Sequence, residues 1–136
     1  VAGWRGRGRE GIASGAPDAL DARELLPAEV GYEIAQNPPP LTGKPSVARF
    51  EAISGLSRRF DLVLTYGWGA IDGVMAARAF PKGATPVVHH EDGFDLDEAD
   101  GPKIQRSVYR RIALPAAHAL VVPSETLEGI ARKVWK

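Results

Sequence analysis

The feature that most constrains the fold is a regular alternation of short apolar, β-prone runs with segments of helical periodicity. The predicted strands lie at 30–35, 60–66, 85–90 and 118–123, and a helical segment follows each of them. Near-continuous apolar strands separated by helices are typical of a parallel sheet that helices cover. The sequence therefore predicts an α/β protein with a Rossmann-like parallel sheet and helices on both faces.

Local signals refine this prediction. Ser46 and Ser124 each precede a helical segment and are predicted N-caps. After Ser46, an apolar stripe is expected to face inward, formed by Val47, Phe50, Ile53 and Leu56. The glycine- and arginine-rich residues 1–17 predict a loop, and a short helix is predicted to follow over 17–26.

Right-handed crossovers place the carboxyl ends of parallel strands along one edge of the sheet, where ligands of open α/β folds bind. The third predicted strand delivers two imidazoles and two carboxylates to that edge in the run PVVHHEDG, as His89, His90, Glu91 and Asp92. Because side chains alternate along a strand, at most one of the two histidines is expected to face the ligand. This pattern predicts a polar-ligand site.

Composition narrows the classes of function. The 136 residues contain 17 Lys and Arg, 17 Asp and Glu and no cysteine, so neither nucleic acid binding nor thiolate chemistry is expected. No phosphate-binding glycine loop follows a predicted strand and no Gly-x-Ser-x-Gly elbow is present, which argues against the familiar ATP, NAD and hydrolase domains. Acids such as Asp95 and Asp97 suit a helix start, so neither a metal nor a cofactor is predicted.

Aromatic and small residues surround the same edge. Tyr66 and Trp68 could stack on a sugar or a base, or could close the top of the core, and the sequence leaves both open. Ser124 could bind an anion at a helix N-terminus or only cap the helix, and capping is the favoured interpretation.

Three segments carry a resemblance to a known family: FDLVLTYGWGAIDGVMAAR, PVVHHEDGF and YRRIALPAAHALVVPSETLEGIA. They resemble the N-terminal domain of GT-B-fold glycosyltransferases of the family-4 type. The likeness covers 28–136, which is expected to be a Rossmann-like acceptor-side domain. Residues 1–27 match loosely and are expected to be the truncated start of that domain.

The resemblance implies transfer of a sugar from a nucleotide-sugar donor to a hydroxyl acceptor, such as a glycan or a lipid-linked sugar. A C-terminal domain missing from this chain would bind most of the donor, so the fragment alone is expected to be inactive. In the family a histidine after this strand commonly lies by the transferred sugar, and Asp92 holds that place here when the segments are aligned on the glycine. The predicted catalytic residues are His90, Glu91 and Asp92, and the predicted substrate-binding residues are Tyr66, Trp68, His89, Gly93 and Ser124.

The absence of cysteine and of a long apolar run predicts a cytoplasmic protein, with peripheral contact to the inner face of the membrane left open. The alternative interpretation is a non-catalytic, flavodoxin-like α/β binding or interaction domain in which HHEDG is only a polar loop.

Overall fold

The computed structural model describes residues 10–14, 31–41, 43–93 and 103–135, and it has the predicted α/β composition. Within these ranges, five strands and four α-helices follow one another as β1 Glu10–Ile12, β2 Tyr32–Ile34, α1 Val47–Ser57, β3 Val63–Tyr66, α2 Gly67–Ala79, β4 Val87–His90, α3 Ile104–Ala113, β5 Ala119–Val121 and α4 Glu125–Val134. The helix predicted over 17–26 lies outside the described residues.

The strands form two parallel sheets. One has the order β3-β4-β5, with Tyr66 opposite His90 and His90 opposite Val121. In the other, β2 pairs with β1. The strand predicted at 30–35 was expected to belong to the same parallel sheet as the others, and this part of the prediction was wrong, because its ladder partner is β1.

β1 itself lies in the segment predicted to be a loop. Glu10, Gly11 and Ile12 show no alternation that a sequence could reveal, and only the ladder to β2 makes them a strand. Pairing with a distant segment overrides local propensity here.

The core lies between α2 and one face of the three-stranded sheet. α2 packs against α1 on one side and against β3 and β4 on the other, so the run from Ile71 to Ala76 is buried all round. This explains why the helix has no single apolar face. On the opposite face of the sheet, Leu64, Tyr66 and Val121 are exposed.

Both predicted serine caps are confirmed. The Oγ atoms of Ser46 and Ser124 accept hydrogen bonds from the backbone N–H groups of Arg49 and Leu127, each at 3.2 Å. The apolar stripe predicted for α1 is wrong at its start, since Val47 is 72% exposed.

Arg49 faces the core in place of Val47, because its guanidinium pairs with a carboxylate of α2. At the end of α4, Val134 is exposed and the neighbouring Trp135 is buried.

Candidate functional site at the carboxyl end of β4

β4 ends with two histidines that face opposite sides of the sheet, as alternation predicts. His89 is completely buried on the face that α2 covers. Its Nδ1 lies 2.7 Å from the hydroxyl of Thr65, the residue opposite it on β3. Its Nε2 has no hydrogen-bond partner among the described residues and lies 3.7 Å from Oε2 of Glu91. These neighbours assign the imidazole hydrogen to Nε2, facing the carboxylate, so that the Thr65 hydroxyl donates to Nδ1.

Glu91 is the first residue after β4, and its carboxylate is held inside the protein. Only 1% of Glu91 is exposed, and Nε of the fully buried Arg110 donates to its Oε2 at 2.8 Å. Burial alone would raise the pKa of the Glu91 carboxyl, but His89 and Arg110 beside it outweigh burial and lower that pKa below its usual value. Glu91 is therefore an anion locked in an ion pair at neutral pH.

Thr65, His89 and Glu91 follow one another as hydroxyl, imidazole and carboxylate, the order of a nucleophilic triad. The hydroxyl-bearing residue is 6% exposed and the imidazole is fully buried, so no substrate reaches them in this conformation. This line of buried groups joins the end of β3 to the end of β4 and the residue after it.

The groups that do face outward at this edge are Tyr66, His90 and Asp92. The ring centroids of Tyr66 and His90 are 4.5 Å apart with an interplanar angle of 29°, and Tyr66 is 56% exposed. Asp92 is exposed, and its Oδ2 lies 3.6 Å from the position that a Cβ on Gly67 would take. An aromatic surface, an imidazole and a carboxylate thus lie where β3 and β4 end and α2 begins.

Two of the other predicted substrate-binding residues, Trp68 and Gly93, contact Arg110. Trp68 is half-buried, and its ring packs against the guanidinium of Arg110 at 5.2 Å and the edge of Tyr109 at 5.5 Å. Gly93 has φ +119, a conformation that favours glycine, and its carbonyl accepts from Nη2 of Arg110 at 3.4 Å. Ser124 caps α4.

Sequence reasoning missed Arg110, which joins these parts. It lies in the basic run YRR, and such a pattern in a helix is typical of a solvated face. The apolar residues of the same helix would predict the wrong buried side, because Ile104, Val108 and Ile112 are all exposed. No local signal marks Arg110 as buried, since its partner is 19 residues away.

A second buried polar cluster was also missed. Asp72 of α2 forms an ion pair with Arg49 of α1, and the Tyr109 hydroxyl of α3 donates to the other oxygen of the same carboxylate. Burial, together with the hydrogen bond to Asp72 and the negative charge there, raises the pKa of Tyr109 well above its usual value. This cluster joins three helices.

Within the described ranges, no group of three or more His, Cys, Asp or Glu side chains could hold a metal ion. Asp95 and Asp97 lie outside those ranges. None of the helices seen there is both long enough and apolar enough to cross a membrane.

The sequence of the chain matches one family model. Residues 1–135 match the sequence model of the glycosyl transferase 4-like domain, and the chain therefore belongs to this family of glycosyltransferases. The resemblance seen in the three sequence segments is thereby confirmed. The search of curated proteins gave no match, and neither did the search of solved structures.

Proposed function

We propose that this chain is the acceptor-side domain of a glycosyltransferase that moves a sugar from a nucleotide-sugar donor to a hydroxyl of a glycan or lipid-linked acceptor. The observation that supports this is the grouping of Tyr66, His90 and Asp92 on the exposed carboxyl edge of the parallel sheet, in a chain of a glycosyltransferase family. Carboxyl edges of parallel strands are the usual ligand sites of such folds.

The chemistry explains why these side chains suit the reaction. The bond between the anomeric carbon and the diphosphate oxygen breaks and its electron pair stays on the diphosphate, the acceptor oxygen bonds to that carbon, and the proton of the acceptor hydroxyl passes to the departing diphosphate or to water. Positive charge develops on the sugar ring and negative charge on the departing diphosphate. Positioned charges and hydrogen-bond donors lower the barrier to such a step.

In this proposal the Asp92 carboxylate faces the sugar, where it stabilises the developing positive charge and accepts from hydroxyl groups. The His90 imidazole donates a hydrogen bond to the sugar–phosphate side, and the exposed ring of Tyr66 offers a flat surface to the acceptor. Glu91 is expected from the sequence to be catalytic, but its carboxylate is held in an ion pair with Arg110. We therefore assign the contact with substrate to His90 and Asp92 instead.

The proposal requires a second domain that binds most of the donor nucleotide, since the chain has no phosphate-binding glycine loop after a predicted strand. The chain alone would then be inactive. A cytoplasmic setting, with contact to the inner face of the membrane where lipid-linked acceptors lie, belongs to the same proposal.

The test measures sugar transfer by the full-length protein from UDP- and GDP-sugars to hydroxyl acceptors. His90→Ala and Asp92→Ala are each expected to lower kcat/KM by about 10²–10³-fold, the range typical of lost acid–base or electrostatic groups. Matched controls lie at the amino edge of the sheet, where His118 and Asp61 are exposed. His118→Ala and Asp61→Ala should leave transfer unchanged.

Wild-type turnover in both His90→Ala and Asp92→Ala would remove these residues from the site. If the full-length protein transfers no sugar but still binds a small ligand at this edge, the flavodoxin-like binding domain becomes the better interpretation.

A further inference from the structure

We propose that Arg110 is a positioning residue: through Glu91 and Gly93 it fixes the segment 91–93 so that Asp92 faces the site. This inference rests on the proposed function for its consequence in catalysis. Its structural part, the restraint of 91–93 by Arg110, stands on contacts and can be tested without any turnover.

The contacts reach the segment at both ends. Nε of Arg110 donates to Oε2 of Glu91 at 2.8 Å, and Nη2 lies 3.4 Å both from Oε1 of Glu91 and from the carbonyl oxygen of Gly93. The backbone N–H of Glu91 donates to the carbonyl of Val121 on β5 at 2.9 Å. Asp92 is the exposed residue between the two anchored ones, so its direction follows from how they are held.

The guanidinium is itself held between two aromatic rings. Its central carbon lies 5.2 Å from the ring centroid of Trp68, at the start of α2, and 5.0 Å from that of Trp135, just after α4. A planar guanidinium can stack on rings and donate along its edge at the same time, whereas a lysine ammonium cannot. The segment after β4 is thus tied through one side chain to α2, α3 and α4.

A stability role alone does not explain this pair. Burying two charges costs desolvation, and apolar residues of similar volume often give equal or greater stability. What apolar residues cannot reproduce is directional bonding to a carboxylate and a carbonyl on one segment. The pair therefore specifies a conformation, and its removal should disturb placement more than folding.

The experiment compares three forms of the full-length protein with wild type. The first is the double variant Arg110→Met, Glu91→Leu, and the second is Arg110→Lys. The third is the control Arg132→Met, Glu128→Leu, which removes an exposed pair of the same chemistry on α4. Each form is examined by thermal unfolding, by hydrogen exchange of the backbone amides of 91–93, and by separate measurement of kcat and KM.

The double variant is expected to fold, with amide exchange at 91–93 about tenfold faster or more. Its kcat should fall about 10²-fold while KM stays nearly constant, because a displacement of about 1 Å at a reacting group has that effect. Arg110→Lys keeps the positive charge but loses the planar guanidinium and its several N–H donors. It should therefore show the same changes to a smaller extent. The control pair should change nothing.

Wild-type exchange at 91–93 in either folded Arg110 variant would overturn the restraint, whatever the activity. Faster exchange with unchanged kcat would overturn the positioning role. If the wild-type protein transfers no sugar, the proposed function fails separately, and hydrogen exchange still decides the restraint. If the double variant does not fold, amide exchange at 91–93 and kcat are judged on Arg110→Lys by the same two outcomes.

Discussion

Two buried arginine–carboxylate pairs can be compared within this chain, and they differ in what they join. Arg49 and Asp72 connect α1 to α2 and lie among helices. Arg110 and Glu91 connect α3 to the residue that follows β4. The first pair is surrounded by packed helices, whereas the second lies directly beneath the exposed edge that carries Asp92.

Trp68 contacts one residue from each of the two buried clusters. Its ring contacts Tyr109, which belongs to the first cluster, and Arg110, which belongs to the second. Tyr109 and Arg110 are neighbours on α3, so one helix supplies both clusters. The comparison teaches that a buried charge does not by itself indicate function, since one pair joins two helices and the other joins a helix to the end of a strand.

The largest effect is expected from breaking the helix pair. Asp72→Leu removes the carboxylate that pairs with Arg49 and accepts from Tyr109, so the free energy of unfolding should fall by about 3–5 kcal/mol. Denaturant unfolding measures this. Adding Arg49→Met should restore most of the loss, and a single variant as stable as wild type would show that the pair does not hold the helices together.

A smaller loss is expected from filling the space between α2 and β3. A Cβ on Gly73 would lie 2.8 Å from Cγ2 of Thr65, the residue that bonds His89. Gly73→Ala should therefore lower the free energy of unfolding by about 1–3 kcal/mol. Gly55 is exposed on α1 and a Cβ there would meet nothing within 4 Å, so Gly55→Ala should instead stabilise by about 0.5–1 kcal/mol. Equal changes in the free energy of unfolding for Gly73→Ala and Gly55→Ala would contradict the close contact between Gly73 and Thr65.

The pH dependence of the free energy of unfolding isolates the contribution of the ion pair between Arg110 and Glu91. In the folded protein the pKa of Glu91 lies below its ordinary value of 4.5. The contribution of the Glu91 carboxylate to stability is therefore complete above pH 4.5 and is lost as the pH falls through the folded pKa. Denaturant unfolding between about pH 7 and pH 3 should lose part of its acid dependence in Glu91→Gln. Glu128→Gln, which removes an exposed carboxylate, is the control. Identical pH profiles for wild type and Glu91→Gln would contradict the lowered pKa.

The smallest effect concerns Ser124, for which the sequence left an anion-binding role open. As a cap of α4, its replacement in Ser124→Ala should cost about 1 kcal/mol and leave sugar transfer unchanged. Ser46→Ala, which removes the equivalent cap of α1, should cost a similar amount. A transfer defect confined to Ser124→Ala would return Ser124 to the site.

These cases show what sequence can predict. The serine caps and the opposite directions of His89 and His90 follow from local geometry, which a few neighbouring residues determine. The partners of Arg110 and Asp72 depend on which helices meet, and no spacing within one segment encodes that. For the same reason β1 was missed, because its ladder partner β2 lies some 20 residues further along.

The direct passage from β3 into α2 has a practical consequence. The strand ends at Tyr66 and the helix starts at Gly67, so one added or deleted residue there would rotate the whole helix and shift the ring beside His90. The turn at Lys82 and Gly83 is exposed and precedes β4, at the opposite edge of the sheet. An affinity tag or a fluorescent label is best inserted at that turn, far from the surface it would report on.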